Sequence, residues 1–305
     1  MVEFSGSFRV RDALAKGISA GALRSQDLAA PFQGVRCVTA PRDAVAWCHA
    51  YATKMRPDAA FCGPSAARLW GMPLPASVPG DVVHVSSPHS GPRPTGRGVR
   101  GYQHDPDNVD IWDLGPLRVF SPIQTWLSLG RMLDLPDLVA AADFALTPSF
   151  GSSEPALATL AELHHAVARH RILRGPLLRL AASFAVPGPL SRPESHCRVL
   201  LVSAGCPMPV PNLRISPLAT LDLAWEPARY GLDYLGDQHR SPTQFAKDVA
   251  RRELIKDLDW ESLEITKTDL YEHPHHVALK VRSRLSERGV AVRPVHPSKF
   301  VLPKP

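Results

Sequence analysis

Apolar positions along the chain follow two periods. Between residues 154 and 182 they recur three and four apart: Ala156, Leu157, Leu160, Leu163 and Val167 form one stripe, the signature of a helix face. Residues 243–259, "TQFAKDVARRELIKDLD", show the same spacing and predict a long amphipathic helix. Elsewhere the pattern alternates. "LDLAW" (221–225) and "YGLDYLG" (230–236) place apolar residues at every second position, as half-buried strands do. The intervening Glu226-Pro227-Ala228-Arg229 reads as a short turn. Alternation puts Leu221, Leu223 and Trp225 on one face and Asp222 and Ala224 on the other, with Asp233 again in mid-strand.

Extended along the chain, these patterns predict an α/β (α+β) protein. Residues 192–204 read as a helix and "VPNLRIS" as a strand. The two alternating strands follow, then helix 243–259, strand 260–266 and a last helix over 269–288 interrupted near Pro274. That order, α-β-β-β-α-β-α, describes a mixed sheet flanked by helices. Near the start, a helix over 10–16 stops at Gly17, and Ser19 can cap a second helix through about Leu28. Pro31 then breaks the chain before "FQGVRCV", a ribbon with Gly34 at its bend. This is the order of the second half of a winged helix-turn-helix; an ordinary helical hairpin followed by a strand has the same pattern.

In between come a helix at 43–51, a shorter one within 63–75 that Gly71 ends, and a strand at 81–87. A basic, turn-rich loop, "SGPRPTGRGVRGYQH", feeds another strand, and a strand and helix over 114–133 are opened by Ser121-Pro122. A further helix covers 136–146. "AVPGPLSRPES" (185–195) is a compositional break, read as a linker. The resulting boundaries are 1–40 winged-helix-like, 41–185 mixed α/β, 190–290 a separate mixed-sheet domain, and a Pro-rich tail over 291–305 expected to fray.

Composition narrows the classes. A chain of 305 residues has room for about two domains. The net charge of +6 is split evenly across residue 190, so it only hints at an acidic partner. Five cysteines without a Cys-x-x-Cys spacing argue against a disulfide framework or zinc knuckle and for reduced thiols. The opening Met-Val-Glu-Phe-Ser-Gly-Ser has neither a basic nor an apolar leader region, and no run approaches the ~18 apolar residues of a membrane span. A cytoplasmic protein away from membranes is expected.

Candidate chemistry centres on the two aspartates. If the strands pair as a hairpin, Asp222 and Asp233 lie near each other, and two such carboxylates repel unless a proton or cation stands between them. Oxygen ligands there suit Mg²⁺ or Mn²⁺ holding a water and a phosphate. Glu194 on the preceding helix can supply a third carboxylate, and His239 a general base or a hydrogen bond to a scissile phosphate. The competing reading is structural: solvated strand-end charges, or aspartates paired with Arg229 or Arg198, and a surface histidine.

These residues also carry a resemblance. "SRPESHCRVLLVSAGCPMPVPN", "LDLAWEPARYGLDYLGDQHR" and "QFAKDVARRELIKDLDWESLEITKTDL" occur in the order of motifs in the domain of unknown function 559 family. That family is related to very-short-patch-repair endonucleases within the PD-(D/E)xK superfamily, and the resemblance covers about residues 192–289. It implies that Glu194 is the helix carboxylate, Asp222 the second-strand aspartate, and Asp233 the residue standing at the third-strand glutamate. Two departures follow. Asp233 is one methylene shorter than glutamate, and Leu235 occupies the position of the superfamily's lysine, usually aspartate in this subfamily. Either Asp237 and His239 compensate, or the site is inactive.

Residues 9–150 resemble, more loosely, the AbiEi-type antitoxins of type IV toxin–antitoxin systems. The resemblance rests on "RDALAKGISAGALRSQDLAAPFQGVRCV", "GPSAARLWGMPLP" and "SPIQTWLSLGRMLDLPDLVAAADFAL". It implies an N-terminal winged helix in which Ser19, Arg24, Ser25 and Gln26 face DNA and Arg36 sits on the wing near phosphate. Plain solvated charge is the bland alternative for both arginines. Two functions are therefore expected to compete. One is a DNA-associated, Mg²⁺- or Mn²⁺-dependent endonuclease using Glu194, Asp222, Asp233 and His239. The other is a non-catalytic DNA-binding regulator or antitoxin-like component, with a cognate toxin as possible partner, in a toxin–antitoxin or phage-defence system.

Overall fold

The structure, a computed structural model, describes residues 6–148, 154–169, 174–236 and 242–305, with backbone alone over 242–247. It is a mixed α/β protein and divides into two compact units, Met1–Met132 and Leu133–Pro305. No helix among the described residues is long and apolar enough to cross a membrane. All five cysteines are buried and unpaired.

The first unit begins with β1 (Ser7–Arg9), α1 (Val10–Ala15) and β2 (Val35–Cys37). The second helix expected over 19–28 does not form; a single 3-10 turn, Ala22–Arg24, stands in its place. Short polar side chains take up the backbone donors there. Ser19 Oγ accepts from the Ala22 N–H, and Ser25 Oγ accepts from Asp27 N–H while donating to its carboxylate. Only Leu23 in the turn is buried, too little apolar face to offset helix nucleation. The ribbon forms, but between β1 and β2, with Ser7 opposite Cys37, and not by a bend at Gly34.

The unit continues with α2 (Ala44–Ala52), β3 (Ala60–Phe61), α3 (Gly63–Leu69), β4 (Val83–Pro88), β5 (Val99–His104), β6 (Ile111–Leu114), β7 (Leu117–Phe120) and α4 (Pro122–Leu129). Asp43 and Ser121 cap α2 and α4 through the Ala46 and Gln124 amides. Helix α3 stops where the sequence places its end, at Gly71, which takes the left-handed conformation (φ 79°) that terminates a helix. The sheet order is β5-β4-β3-β7-β6, which leaves β5 and β6 at the edges. Phe61, Val85 and Val119 are fully buried in its core, with Phe32 and Tyr51 packed edge-on.

The second unit opens with α5 (Leu135–Leu146), α6 (Leu160–Arg169), α7 (Gly175–Phe184) and α8 (Arg192–Ser203). It continues with β8 (Val210–Ser216), β9 (Ala219–Trp225), β10 (Tyr230–Leu235), α9 (Pro242–Asp257), β11 (Glu261–Thr266), α10 (Lys267–Tyr271) and α11 (Pro274–Glu287). The sheet order is β11-β10-β9-β8. Strand β9 is antiparallel to both neighbours, whereas β10 and β11 are parallel. A parallel pair needs a crossover, and α9 supplies it.

Leu223, Trp225, Tyr230 and Leu232 pack with Leu200 and Leu201 of α8 and with Val281 and Leu285 of α11. Leu221 and Ala224 pack instead with Ile255 of α9. Leu221 and Leu223, two residues apart, thus enter different clusters. The strict alternation expected from the sequence breaks at Asp222.

Two boundaries differ from those read in the sequence. The segment read as a linker is packed: Val186 N–H donates to Asp143 (2.8 Å), Gly188 N–H to Thr147 Oγ1 (2.9 Å), and the Asn212 amide to the Gly188 carbonyl (2.7 Å). Helix α5 belongs with α8, joined by a fully buried Arg198–Asp143 pair and a Ser195–Asp143 hydrogen bond of 2.6 Å. The tail expected to fray is also held. Arg293 N–H donates to the Gly205 carbonyl, Val301 N–H donates to Ser203 Oγ, and Phe300 is buried.

Candidate active site

The β9–β10 ladder pairs Trp225 with Tyr230, Ala224 with Gly231 and Leu223 with Leu232. One step further, the count sets Asp222 opposite Asp233, and there the backbones part. The Asp222 N–H donates to Asp233 Oδ1 (3.3 Å), and the Tyr234 N–H donates to Asp222 Oδ2 (2.7 Å). Each carboxylate has replaced a carbonyl as the cross-strand acceptor. Both aspartates are therefore held in the opening between the strands, and neither lies at a solvated strand end.

Glu194 stands next to this pair on α8, buried at 8% exposure. Its placement follows from local helix-capping chemistry. Ser191 caps α8, with its Oγ accepting from Glu194 N–H and donating to Glu194 Oε1 (2.7 Å); Glu194 Oε2 accepts from Leu190 N–H (2.9 Å). This Ser-x-x-Glu arrangement resembles a capping box. A third donor, the Asn212 amide, reaches Oε2 at 3.1 Å. Asn212 takes a left-handed backbone (φ 48°), which asparagine tolerates better than most residues. By the β8–β9 register it stands opposite Asp222.

Asp233 is 3% exposed. Its Oδ1 accepts from Arg251 (2.7 Å), whose guanidinium also donates to the Thr220 carbonyl. Its Oδ2 is buried and has no hydrogen-bond partner among the described residues. A buried acceptor left over in this way is costly, and it is the atom a cation or a donor proton would satisfy. Burial pushes the Asp233 carboxyl up and outweighs the Arg251 hydrogen bond. Asp222 is pushed up to about 7, first by burial and then by the Glu194 carboxylate. Asp233 adds to the shift, and the Tyr234 N–H and Arg251 oppose it.

On the other edge of β10, Asp233 pairs in register with Glu264, which Arg252 binds with two hydrogen bonds of 2.6 and 2.8 Å. A groove of about 460 Å³ opens beside them between α9 and β11. Its charged lining is balanced: Arg252, Lys256 and Arg288 face Asp259, Glu261 and Glu264.

The structure therefore brings Glu194, Asp222 and Asp233 into one neighbourhood. His239 and Asp237 lie outside the described residues. Asp222 and Asp233 are paired with neither Arg229 nor Arg198: Arg229 meets Asp259 at 3.2 Å, and Arg198 meets Asp143. In the first unit, Arg24 and Gln26 are exposed on the 3-10 turn, and Ser19 and Ser25 are engaged in it. Arg36 lies on β2 of the ribbon, half-buried, and its Nε donates to the Leu23 carbonyl (2.8 Å).

Two residues near the site were not singled out from the sequence. Arg251 lies one turn before the buried Ile255, so a charge stands on the apolar stripe of α9, and that is the readable signal. Asn212 closes the stretch 191–212, on a strand that also carries Arg214 and Ser216, so no local pattern marks it.

Among the described residues, no three His, Cys, Asp or Glu side chains gather as a metal cage would. Glu194 spends its oxygens on α8 and Asn212, and acts on Asp222 through charge alone. Mg²⁺, however, is commonly held by one or two carboxylates with waters and substrate phosphate completing its shell. Asp222, together with the unpartnered Oδ2 of Asp233, matches that smaller donor set. Comparison of the chain with family models, with curated proteins and with solved structures finds no match.

Proposed function

We propose that residues 192–289 form a restriction-endonuclease-like domain that hydrolyses DNA phosphodiesters with a divalent ion held by Asp222 and Asp233. The observation that carries this reading is the opening of the sheet at those two residues, with a buried carboxylate oxygen left unpartnered there. The element order supports it: a helix bearing Glu194, three antiparallel strands, a crossover helix and a parallel fourth strand.

Bound between the carboxylates, Mg²⁺ or Mn²⁺ would supply Lewis-acid charge to a phosphate oxygen and acidify a water. The chain's own groups set the stage. The Tyr234 and Asp222 amides fix the two carboxylates before substrate arrives, so little reorganisation is needed. Glu194 raises the negative potential at Asp222 and so favours a cation. Arg251 neutralises one oxygen of Asp233 and leaves the other open. Leu235 offers no charge, and among the described residues Arg251 is the cation bound to Asp233.

Arg251 also favours a second reading, in which its guanidinium serves as the permanent counter-ion and the domain docks DNA without cutting it. One experiment sorts the two. Full-length protein is incubated with supercoiled and linear duplex DNA in Mg²⁺, Mn²⁺ or EDTA, with metal binding measured by calorimetry. Metal-dependent cleavage, lost in Asp222→Asn together with metal binding, is the expected result. Neither cleavage nor metal binding in the wild type overturns the hydrolytic reading and leaves the docking one.

A further inference from the structure

The basic loop over 90–104 has no part in the carboxylate site, yet it is the most cationic uninterrupted stretch of the first unit. It carries Arg93, Arg97 and Arg100 and no acidic residue. It is not loose. Ser87 Oγ donates to the Pro92 carbonyl (2.9 Å), Arg93 Nε to the Gly101 carbonyl (2.9 Å), and the Gln103 amide to the Gly91 carbonyl (3.0 Å). The Pro94 carbonyl sits so close over β5 that a Cβ added at Gly101 would lie 1.8 Å from it. Glycine at 101 is thus a close-approach requirement that lets the loop fold onto the edge strand.

A number of arginines in the chain are neutralised by carboxylates. Arg56, Arg192, Arg198, Arg251, Arg252, Arg284 and Arg288 all pair with carboxylates. Arg97, Arg100 and Arg131 are exposed and have no ion-pair partner among the described residues, and Arg93 is exposed and held by a carbonyl alone.

Arg100 lies two positions before Tyr102 on β5, and Arg93 is bonded to the neighbouring Gly101 carbonyl. Burial pushes Tyr102 up, and the charges of Arg100, Arg131 and Arg93 oppose that shift. The Tyr102 hydroxyl meets His84 Nδ1 at 3.0 Å, and the two rings stack. His84 is itself buried and pushed down to about 4, first by desolvation and then by Arg100 and Arg68, so it adds no charge at neutral pH. The surface is therefore a set of unneutralised guanidinium groups at the edge strand of a sheet, two of them carried on a loop whose backbone is held against that strand. A held backbone limits the entropy lost when its cations meet a regular row of anions.

We infer that the exposed guanidinium groups of Arg93, Arg97 and Arg100, on the loop and β5, together with that of Arg131, bind the phosphate backbone of duplex DNA. The choice of duplex DNA rests on the function proposed above; the cationic surface stands independently of the carboxylates. The contacts are to phosphate, so they position DNA without reading its sequence.

The test is fluorescence anisotropy of a labelled DNA duplex with full-length protein in EDTA, over a range of salt. The wild type is expected to bind. The Arg97→Glu/Arg100→Glu/Arg131→Glu variant is expected to bind at least about tenfold more weakly, with a salt dependence shallower by about two to three counter-ions. Divalent-metal binding by the triple variant, measured by calorimetry, is expected to equal that of the wild type, so failure of the carboxylate reading and failure of this one separate cleanly. A melting curve confirms that the triple variant, altered only at exposed positions, is folded. Binding by that folded variant within twofold of wild type overturns the inference. So does a wild type that binds no duplex, or one that prefers single-stranded RNA of equal length.

Discussion

Asp222 shows what a single side chain contributes at the centre of this fold. Its carboxyl is raised from 3.8 to about 7, so the native state keeps a proton that the unfolded chain has already released. Between those values the native state binds more protons, and stability must fall as pH rises through the window. Asp222→Asn removes the titration. In EDTA the variant is expected to melt higher than wild type at pH 8, with the gap closing towards pH 4. Adding Mn²⁺ at pH 8 is expected to raise the melting temperature of the wild type and leave the variant unchanged. A variant less stable than wild type at pH 8 would show that the Asp222 charge is already satisfied within the protein.

Among the elements, α8 does two jobs at one end. Its first turn satisfies orphan amides through Ser191 and Glu194, and the same glutamate charges the neighbourhood of Asp222. Ser191→Ala removes the cap and one of the three donors on Glu194. It is expected to cost about 1 kcal/mol in a denaturant melt and to lower divalent-metal affinity, because Glu194 is then free to move from Asp222. A stability loss with metal affinity unchanged would confine Glu194 to the helix end. The same element illustrates what was readable. The helix over 192–204 and its glutamate were readable, whereas the Ser191 cap and the third donor, Asn212, which comes from a strand, emerge only from the structure.

At the scale of the molecule, the decisive contact is between α5 and α8. Arg198 is fully buried and meets Asp143, which also accepts from Ser195 and from Val186 N–H. Removing one partner from such a network leaves an uncompensated buried charge, at about 3–5 kcal/mol. A fragment comprising residues 133–305 is therefore expected to fold cooperatively, as judged by circular dichroism and a single melting transition. A fragment comprising residues 186–305, cut at the compositional break, is expected not to. Equal stability of the two would restore the sequence-based boundary.

Local chemistry was legible in the residues themselves. Alternation and helical spacing placed β8 to β11 and α8 to α11 within a few positions, and two carboxylates inside apolar strands marked the site. Those signals are readable because they depend on neighbours within one turn or one strand. What only the tertiary structure decided depends on distant partners: the failure of a helix over 19–28, the break in alternation at Asp222, the cation Arg251 on Asp233, and the union of α5 with α8. Burial and charge pairing across tens of residues settle these, and no local pattern records which distant group will meet which.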